Sequence, residues 1–249
     1  MKNKFYYPIV FSIALLSVAC VPSKKMIYFQ EIENVKIEET IVNYEPKLQI
    51  GDVLNVSVSA IDIEAALPFN LYEGTGTSAT PMSYLVNIDG ELNFPVLGKI
   101  KVEGFTNKEI TDLLTKRLSD YIKNPVVNVR LINFKVSVLG EVGRPGTYPV
   151  TNERISIIEA LSLAGDLTIQ GKRANVLLVR EEQGKRVFVN IDLTNKQLFN
   201  SPYYYLAQND VVYVAPNKTK INNSGVGANT GVVFSAISIL ISIIGILIR

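Results

Sequence analysis

The stretch Val232–Ile248, VVFSAISILISIIGILI, carries no charge and no proline, and Arg249 follows it. As a helix, residues 232–249 rise roughly 27 Å at ~1.5 Å per residue, close to the ~30 Å hydrocarbon core of a bilayer. A soluble domain has little use for so long an apolar run, and an arginine at its end can snorkel to a headgroup layer. The run therefore predicts a transmembrane helix over 232–249. Its small residues are not scattered. Gly231, Ser235, Ser238, Ser242 and Gly245 recur at spacings of four, three, four and three. At about 100° per residue they share one arc of roughly 80°. Two readings of that arc stand side by side. It packs against a neighbouring helix, as small-residue faces do in membranes, or it lines a water-filled lumen inside a ring of identical helices.

The other end of the chain constrains the compartment. Lys2 and Lys4, the apolar Ile9–Leu16 and the small residues before Cys20 read as a secretory signal over 1–19. The chain has one cysteine, directly after Ser17-Val18-Ala19. That placement predicts lipidation at Cys20, although Ser17 stands where lipoprotein signals usually carry a branched aliphatic residue. The competing reading is ordinary secretion with a free thiol, which is uncommon outside the cytoplasm. One acyl chain anchors only marginally, so a second membrane element matters.

Composition closes several function classes. There is no histidine and only the single cysteine, so histidine-based triads, histidine metal sites and internal disulfides are excluded. No metal or cofactor is expected. The formal charge of +2 is the contribution of Lys2 and Lys4, and a chain cut before Cys20 is neutral. That balance gives no reason to expect a nucleic-acid partner.

Between the ends, residues 20–43 are polar and read as an extended spacer. Order begins at Tyr44, where Leu48, Ile50, Leu54, Val56 and Val58 approximate a half-buried strand interrupted by a Gly51-Asp52 turn. Residues 70–83 form a loop rich in glycine, threonine and serine, too short in its glycine spacing for a phosphate loop. Tyr84–Asp89 and Glu91–Pro95 read as a hairpin about Asp89-Gly90. Thr106 with Glu109 forms a capping box that opens a helix to about Lys123, with Ile110, Leu113, Leu114, Leu118, Tyr121 and Ile122 on one face. Asn124-Pro125 ends it, and Val126–Leu131 forms a strand.

A second unit follows. Val136–Gly140 reads as a strand, Glu141–Tyr148 as a glycine- and proline-rich turn. Ser156 with Glu159 forms another capping box, on a short helix that ends at Gly165. Val176–Arg180 and Arg186–Ile191 form a hairpin, and Asp210–Val214 a last strand. The sequence of elements predicts α+β units rather than alternating βαβ. From 216 to 231 the composition turns to Asn, Gly, Ser and Thr, a flexible connector.

These residues resemble a known family, the outer-membrane polysaccharide export proteins. The first set of motifs is Tyr44, Leu48, Gly51-Asp52 and Leu54; Val86–Gly90; Phe94-Pro95 with Gly98; Gly104-Phe105-Thr106; and Asn124–Val127. Together they resemble a polysaccharide export domain over 44–132. Val138–Val142, Arg144-Pro145-Gly146 with Tyr148, Glu159–Leu161, Ala164–Asp166 and Asn209–Val212 resemble a soluble-ligand-binding β-grasp domain over 134–215. The resemblance implies an outer-membrane lipoprotein lying mostly in the periplasm. It implies a homo-oligomeric ring with an α-helical barrel, an inner-membrane polysaccharide co-polymerase or tyrosine kinase as partner, and a capsular or extracellular polysaccharide as cargo. It turns the serine arc toward the lumen reading. Better-known members carry two β-grasp copies, and this chain has room for one.

Two further expectations concern side chains. Arg144 and Tyr148 are the candidate contacts for glycan or partner, with bracing of their own turn as the alternative. Among acids, Asp52, Asp89 and Asp210 sit at strand ends where turn roles suffice, so no catalytic residue is assigned. The chain is read as a non-enzymatic exporter. The alternative is a membrane-tethered lipoprotein that holds glycan or scaffolds a synthesis complex without a pore.

Overall fold

The computed structural model describes residues 27–30, 44–74, 80–182, 184–225 and 230–247. The expected signal sequence and Cys20 lie outside them. The chain forms two α+β units, each around its own apolar core.

The first unit is built on β1 (Val53–Ser59), in which Leu54, Val56 and Val58 are buried and the residues between them are exposed or half-exposed. That period of two is what turns one face inward. β1 is central in a three-stranded antiparallel sheet, between β4 (Tyr84–Leu85) and β7 (Val126–Leu131). α1 (Ile63–Ala66) and a 3-10 turn at Leu67–Phe69 follow β1, and two short strands, β2 (Tyr72–Glu73) and β3 (Thr80–Pro81), pair with each other. The expected Asp89-Gly90 hairpin is corrected. β4 pairs with β1, and β5 (Glu91–Phe94) pairs instead with β6 (Gly98–Lys101), around a turn in which Val96 takes a φ of 64°. The cause is local. The Asn87 side chain accepts from the backbone N–H groups of Asp89 and Glu91, and the Val86 N–H is committed to the Asp52 carbonyl.

α2 (Asn107–Leu118) has the predicted capping box, Thr106 Oγ1 accepting from the Glu109 N–H while the Glu109 carboxylate accepts from the Thr106 N–H. Ile110, Leu114 and Leu118 are fully buried, each worth ~1.5–3 kcal/mol. The helix ends at Leu118, not Lys123. The Tyr121 and Ile122 N–H groups both turn back to the Leu118 carbonyl, which leaves Ile122 in the core and Tyr121 60% exposed.

The second unit is a five-stranded mixed sheet in the order β12-β11-β14-β8-β9. β8 (Lys135–Gly140) pairs antiparallel with β9 (Gly146–Pro149), a strand that the composition of 141–148 conceals. β11 (Gly171–Glu182) and β12 (Lys185–Ile191) form the expected hairpin, longer than the periodicity indicates. β14 (Val211–Pro216) is antiparallel to β11 and parallel to β8. At Gly140 the φ is +91° and a Cβ would lie 2.1 Å from the Val214 carbonyl oxygen, so only glycine lets these two strands close. α3 (Ile157–Leu163) packs under the sheet, led by β10 (Ile155–Ser156), which pairs with β13 (Tyr205–Leu206).

Two expectations of extended chain are corrected. Residues 27–30 belong to the second unit: Tyr28 and Phe29 pack on its core, and the Gln30 N–H donates to the Thr194 carbonyl. Within the expected connector, α4 (Lys218–Gly225) is helical, with Asn217 Oδ1 capping the Lys220 N–H and the Lys220 ammonium 3.2 Å from the Glu141 carboxylate.

α5 (Thr230–Leu247) occupies the apolar run. Its eighteen residues rise ~27 Å, whereas a bilayer core of ~30 Å calls for about 20 residues. Among the described residues no helix is long and apolar enough to cross a membrane, and the expected transmembrane span is not supported at this length. Every described side chain of α5 is exposed, Phe234 67% among them, so none of these packs on either unit.

One charged pair sits inside the second unit. Arg180, on β11, donates to both carboxylate oxygens of Asp210, at 2.7–3.1 Å, and both residues are buried. Asp210→Ala leaves that guanidinium buried with only the Tyr205 carbonyl and the half-exposed Glu182 carboxylate at 3.7 Å beside it, and we predict a loss of about 3 kcal/mol in urea denaturation of the detergent-solubilised protein. Lys101→Met, which breaks the exposed pair with Glu103, should change stability by less than about 1 kcal/mol in the same measurement.

Candidate functional site

The two units meet at a cleft of about 880 Å3. Tyr44, Lys47 and Arg130 reach it from the first unit; Arg154, Tyr204 and Tyr205 reach it from the second. The tyrosine rings are ordered against one another. Tyr44 stacks on Tyr205 with centroids 5.5 Å apart and planes 13° apart, and Tyr204 meets Tyr205 edge-on at 4.9 Å. The Arg154 guanidinium lies 4.9 Å from the Tyr205 ring centroid, a cation–π distance. The Tyr205 carbonyl accepts from Arg180 at 2.8 Å, so the buried ion pair also fixes the strand that carries this ring.

Gln208 secures the seam behind the cleft. Its amide oxygen accepts from the Lys135 N–H and its amide nitrogen donates to the Asn133 carbonyl, both at 2.8 Å. Asn133 in turn accepts from the Val53 N–H and donates to the Gly51 carbonyl. A short chain of amides thus joins the start of β1 to the second unit through the segment between β7 and β8.

The cleft continues along β7 in a groove of about 520 Å3, past Asn107, Lys108 and Thr111 of α2. The Ile132 N–H donates to the Val53 carbonyl, and Arg130 and Asn128 pair opposite Asn55 and Ser57. Backbone direction alternates along a strand, so Val127, Val129 and Leu131 turn their N–H and C=O groups away from β1. No described strand pairs with that edge. In the same lining, the Asn107 Oδ1 atom is enclosed and has no hydrogen-bond partner among the described residues.

The residues singled out in the sequence lie elsewhere. Tyr148 donates its phenol to the Arg144 carbonyl, and the Arg144 guanidinium reaches the Leu163 carbonyl at the C-terminus of α3. The Arg144 and Gly143 N–H groups donate to Ala164 and Asp166. This loop satisfies the free carbonyls of the helix end, and a cation is well placed there. Turn bracing therefore accounts for what these two side chains touch. On α5, the Ser235, Ser238 and Ser242 hydroxyls donate to the carbonyls four residues earlier, at 2.8–2.9 Å, while Gly231 and Gly245 leave the same arc bare.

The acids are not gathered for chemistry. Asp52 accepts from the Gln49 N–H in the turn before β1, Asp89 lies in an exposed turn, and Asp210 holds Arg180 and the Ala207 N–H. Among the described residues no group of three or more Cys, Asp or Glu is placed to hold a metal ion. Sequence reasoning missed Arg130, Arg154 and the cleft tyrosines. The one available signal was the run Tyr203-Tyr204-Tyr205 beside a strand.

Comparison with known proteins divides the chain at the same seam. Residues 41–132 match the family of polysaccharide biosynthesis/export proteins, and residues 134–214 match the SLBB domain. The chain is similar to the EPS I polysaccharide export outer membrane protein EpsA of Ralstonia solanacearum, 26% identical over 201 residues, which are 75% of this chain and 52% of that protein. It is also similar to the capsule polysaccharide export outer membrane protein CtrA of Neisseria meningitidis serogroup A, 27% identical over 197 residues, 76% of this chain and 49% of that one. The chain spans about half the length of the curated relatives it matches.

Burial raises the Asp52 pKa to about 6, only partly offset by its bond from Gln49. The folded state therefore prefers the neutral acid. Its stabilising effect is complete below the ordinary value near 3.8 and is lost as pH rises through about 6. At 1.36 kcal/mol per unit the loss is of order 3 kcal/mol. Asp52→Asn keeps the acceptor and removes the titration. Urea denaturation at a series of pH values should show the variant gaining on the parent between pH 4 and 7, and parallel profiles would exclude the shift.

Proposed function

The chain belongs to the polysaccharide export family, and from that premise we propose that it is an outer-membrane subunit through which capsular or extracellular polysaccharide leaves the cell. It is not an enzyme; its relatives are export proteins. In this reading identical subunits close into a ring, the two units surround a periplasmic vestibule, and the α5 helices together form the crown that enters the membrane. Cys20 carries the lipid that adds a second anchor. An inner-membrane polysaccharide co-polymerase, joined to a tyrosine kinase, delivers the nascent chain.

The observation that supports the reading is α5 itself, an apolar helix whose described side chains are all exposed and which follows the two family domains. A helix apolar on nearly all sides finds cover in lipid or in copies of itself. The arc Gly231, Ser235, Ser238, Ser242 and Gly245 faces the lumen in this arrangement.

A second reading rests on a specific observation. Each of the three serine hydroxyls is already bonded to its own helix backbone. A hydroxyl satisfied in this way does not need water, which suits an anchor packed against one neighbour. The protein is then a tethered module that holds glycan or scaffolds the synthesis complex without a pore.

Two variants separate these readings. Deletion of 230–249 should abolish surface polysaccharide while intracellular polymer still accumulates if the protein is the exporter. A scaffold held by Cys20 keeps most of its function. Ser238→Leu combined with Ser242→Leu should block export without disturbing membrane insertion; unchanged surface polysaccharide in that double variant returns α5 to the role of an anchor. Electron-microscopic imaging of the intact protein in mild detergent reads the assembly directly, as rings with a central cavity or as monomers.

A further inference from the structure

We infer that the cleft between the two units is a binding site for a carboxylate-bearing saccharide, an inference that rests on the export reading and names the chemistry of its cargo. The first support is two guanidinium groups. Arg130, from β7, and Arg154, from the loop before β10, line one cleft although they belong to different units. Neither forms a salt bridge with any described residue. Arg154 is held over the Tyr205 ring, which restrains the side chain while leaving its N–H edge available. A planar guanidinium so restrained loses little freedom on taking a carboxylate bidentately.

The second support is the polar surface between them. The half-buried Asn107 side chain at the start of α2 lines both the cleft and the groove. The outward N–H and C=O groups of Val127 and Val129 add further donors and acceptors along the same groove. The third support is the tyrosine cluster. Tyr205 is covered by Tyr44 and Arg154, while the half-buried Tyr44 and Tyr204 rings leave apolar surface on the cleft wall that suits the C–H face of a pyranose. The volume, about 880 Å3, lies within the usual range for small-ligand sites, ~300–1,000 Å3.

Together these features select among ligands. A neutral saccharide leaves both guanidiniums without an anion. A polyanion with more than one charge per sugar meets Glu45, Glu153 and Glu159, which share the lining with Lys47 and the two arginines. A polymer with one carboxylate in each sugar satisfies the arginines and leaves hydroxyls for Asn107. An added peptide strand would use the β7 edge, but it gives no reason for a guanidinium held over Tyr205 on the far side of the cleft.

The test is calorimetric titration of the detergent-solubilised full chain with oligogalacturonate, beside a malto-oligosaccharide of the same length. Binding of the acidic oligomer should be saturable, with protection of the Val127 and Val129 amides from hydrogen exchange. It should weaken by about tenfold or more in Arg130→Gln with Arg154→Gln. Both positions are exposed, and circular dichroism checks that the fold persists. No binding, equal binding of the neutral oligomer, or unchanged affinity in the double variant overturns the inference. So does a valine-threonine peptide that protects those amides when the oligogalacturonate does not, since the cleft then belongs to a protein strand. Cells separate the two levels. A strain that lacks the protein yet keeps its surface polysaccharide overturns the export reading and this inference with it. Lost export with no oligosaccharide binding overturns the inference alone.

Discussion

Asp210 receives hydrogen bonds from Arg180 on β11 and from the Ala207 N–H, while Arg180 also donates to the carbonyl of Tyr205 on β13. β11 and the segment 205–210, which lies 25–30 residues further along the chain, are thereby fixed to one carboxylate. A buried pair of this kind is not a large source of net stability, because desolvation of both charges offsets much of their attraction. What it supplies is placement. β14 begins at Val211, directly after Asp210, and runs between an antiparallel and a parallel neighbour; the Ser137 N–H reaches the Asp210 carbonyl to start the parallel side. The position of Tyr205, and with it the wall of the cleft, follows from the same contact.

Local signals in the sequence translated directly into structure. Both capping boxes are present, at Thr106 with Glu109 and at Ser156 with Glu159, because their geometry involves only four consecutive residues. β1 and β7 were legible from their alternation, since one face of each is buried on α2. The failures share a cause. β6 and β9 are short and partly exposed, and partners that periodicity does not reveal make them strands. The Asp89-Gly90 turn is real, yet the side chain of Asn87 and the pull of β1 on Val86 decide what it connects. Residues 27–30 have no pattern of their own and are ordered by a surface far along the chain, as the Gln30 bridge to Asn195 shows.

The candidate site was the least legible part. Arg130 and Arg154 have unremarkable neighbours in sequence, and only the packing of two units brings them to one cleft. Arg144 and Tyr148 stood out because glycine and proline surround them, but such a loop is what a helix C-terminus needs to satisfy its carbonyls. Motif density there coincides with that folding requirement.

The docking of residues 27–30 has a geometric consequence. Phe29 and Gln30 are bonded to Leu193 and Thr194 of the second unit, and α5 leaves that same unit through α4, which Lys220 ties to Glu141. Six residues separate Cys20 from Ile27, so the leash reaches at most ~25 Å at ~3.3–3.6 Å per Cα step. A lipid on Cys20 would therefore hold the SLBB unit, not the export unit, close beneath its leaflet. The order of parts from the membrane inward would run opposite to their order in the chain, with the first domain synthesised lying farthest from the bilayer.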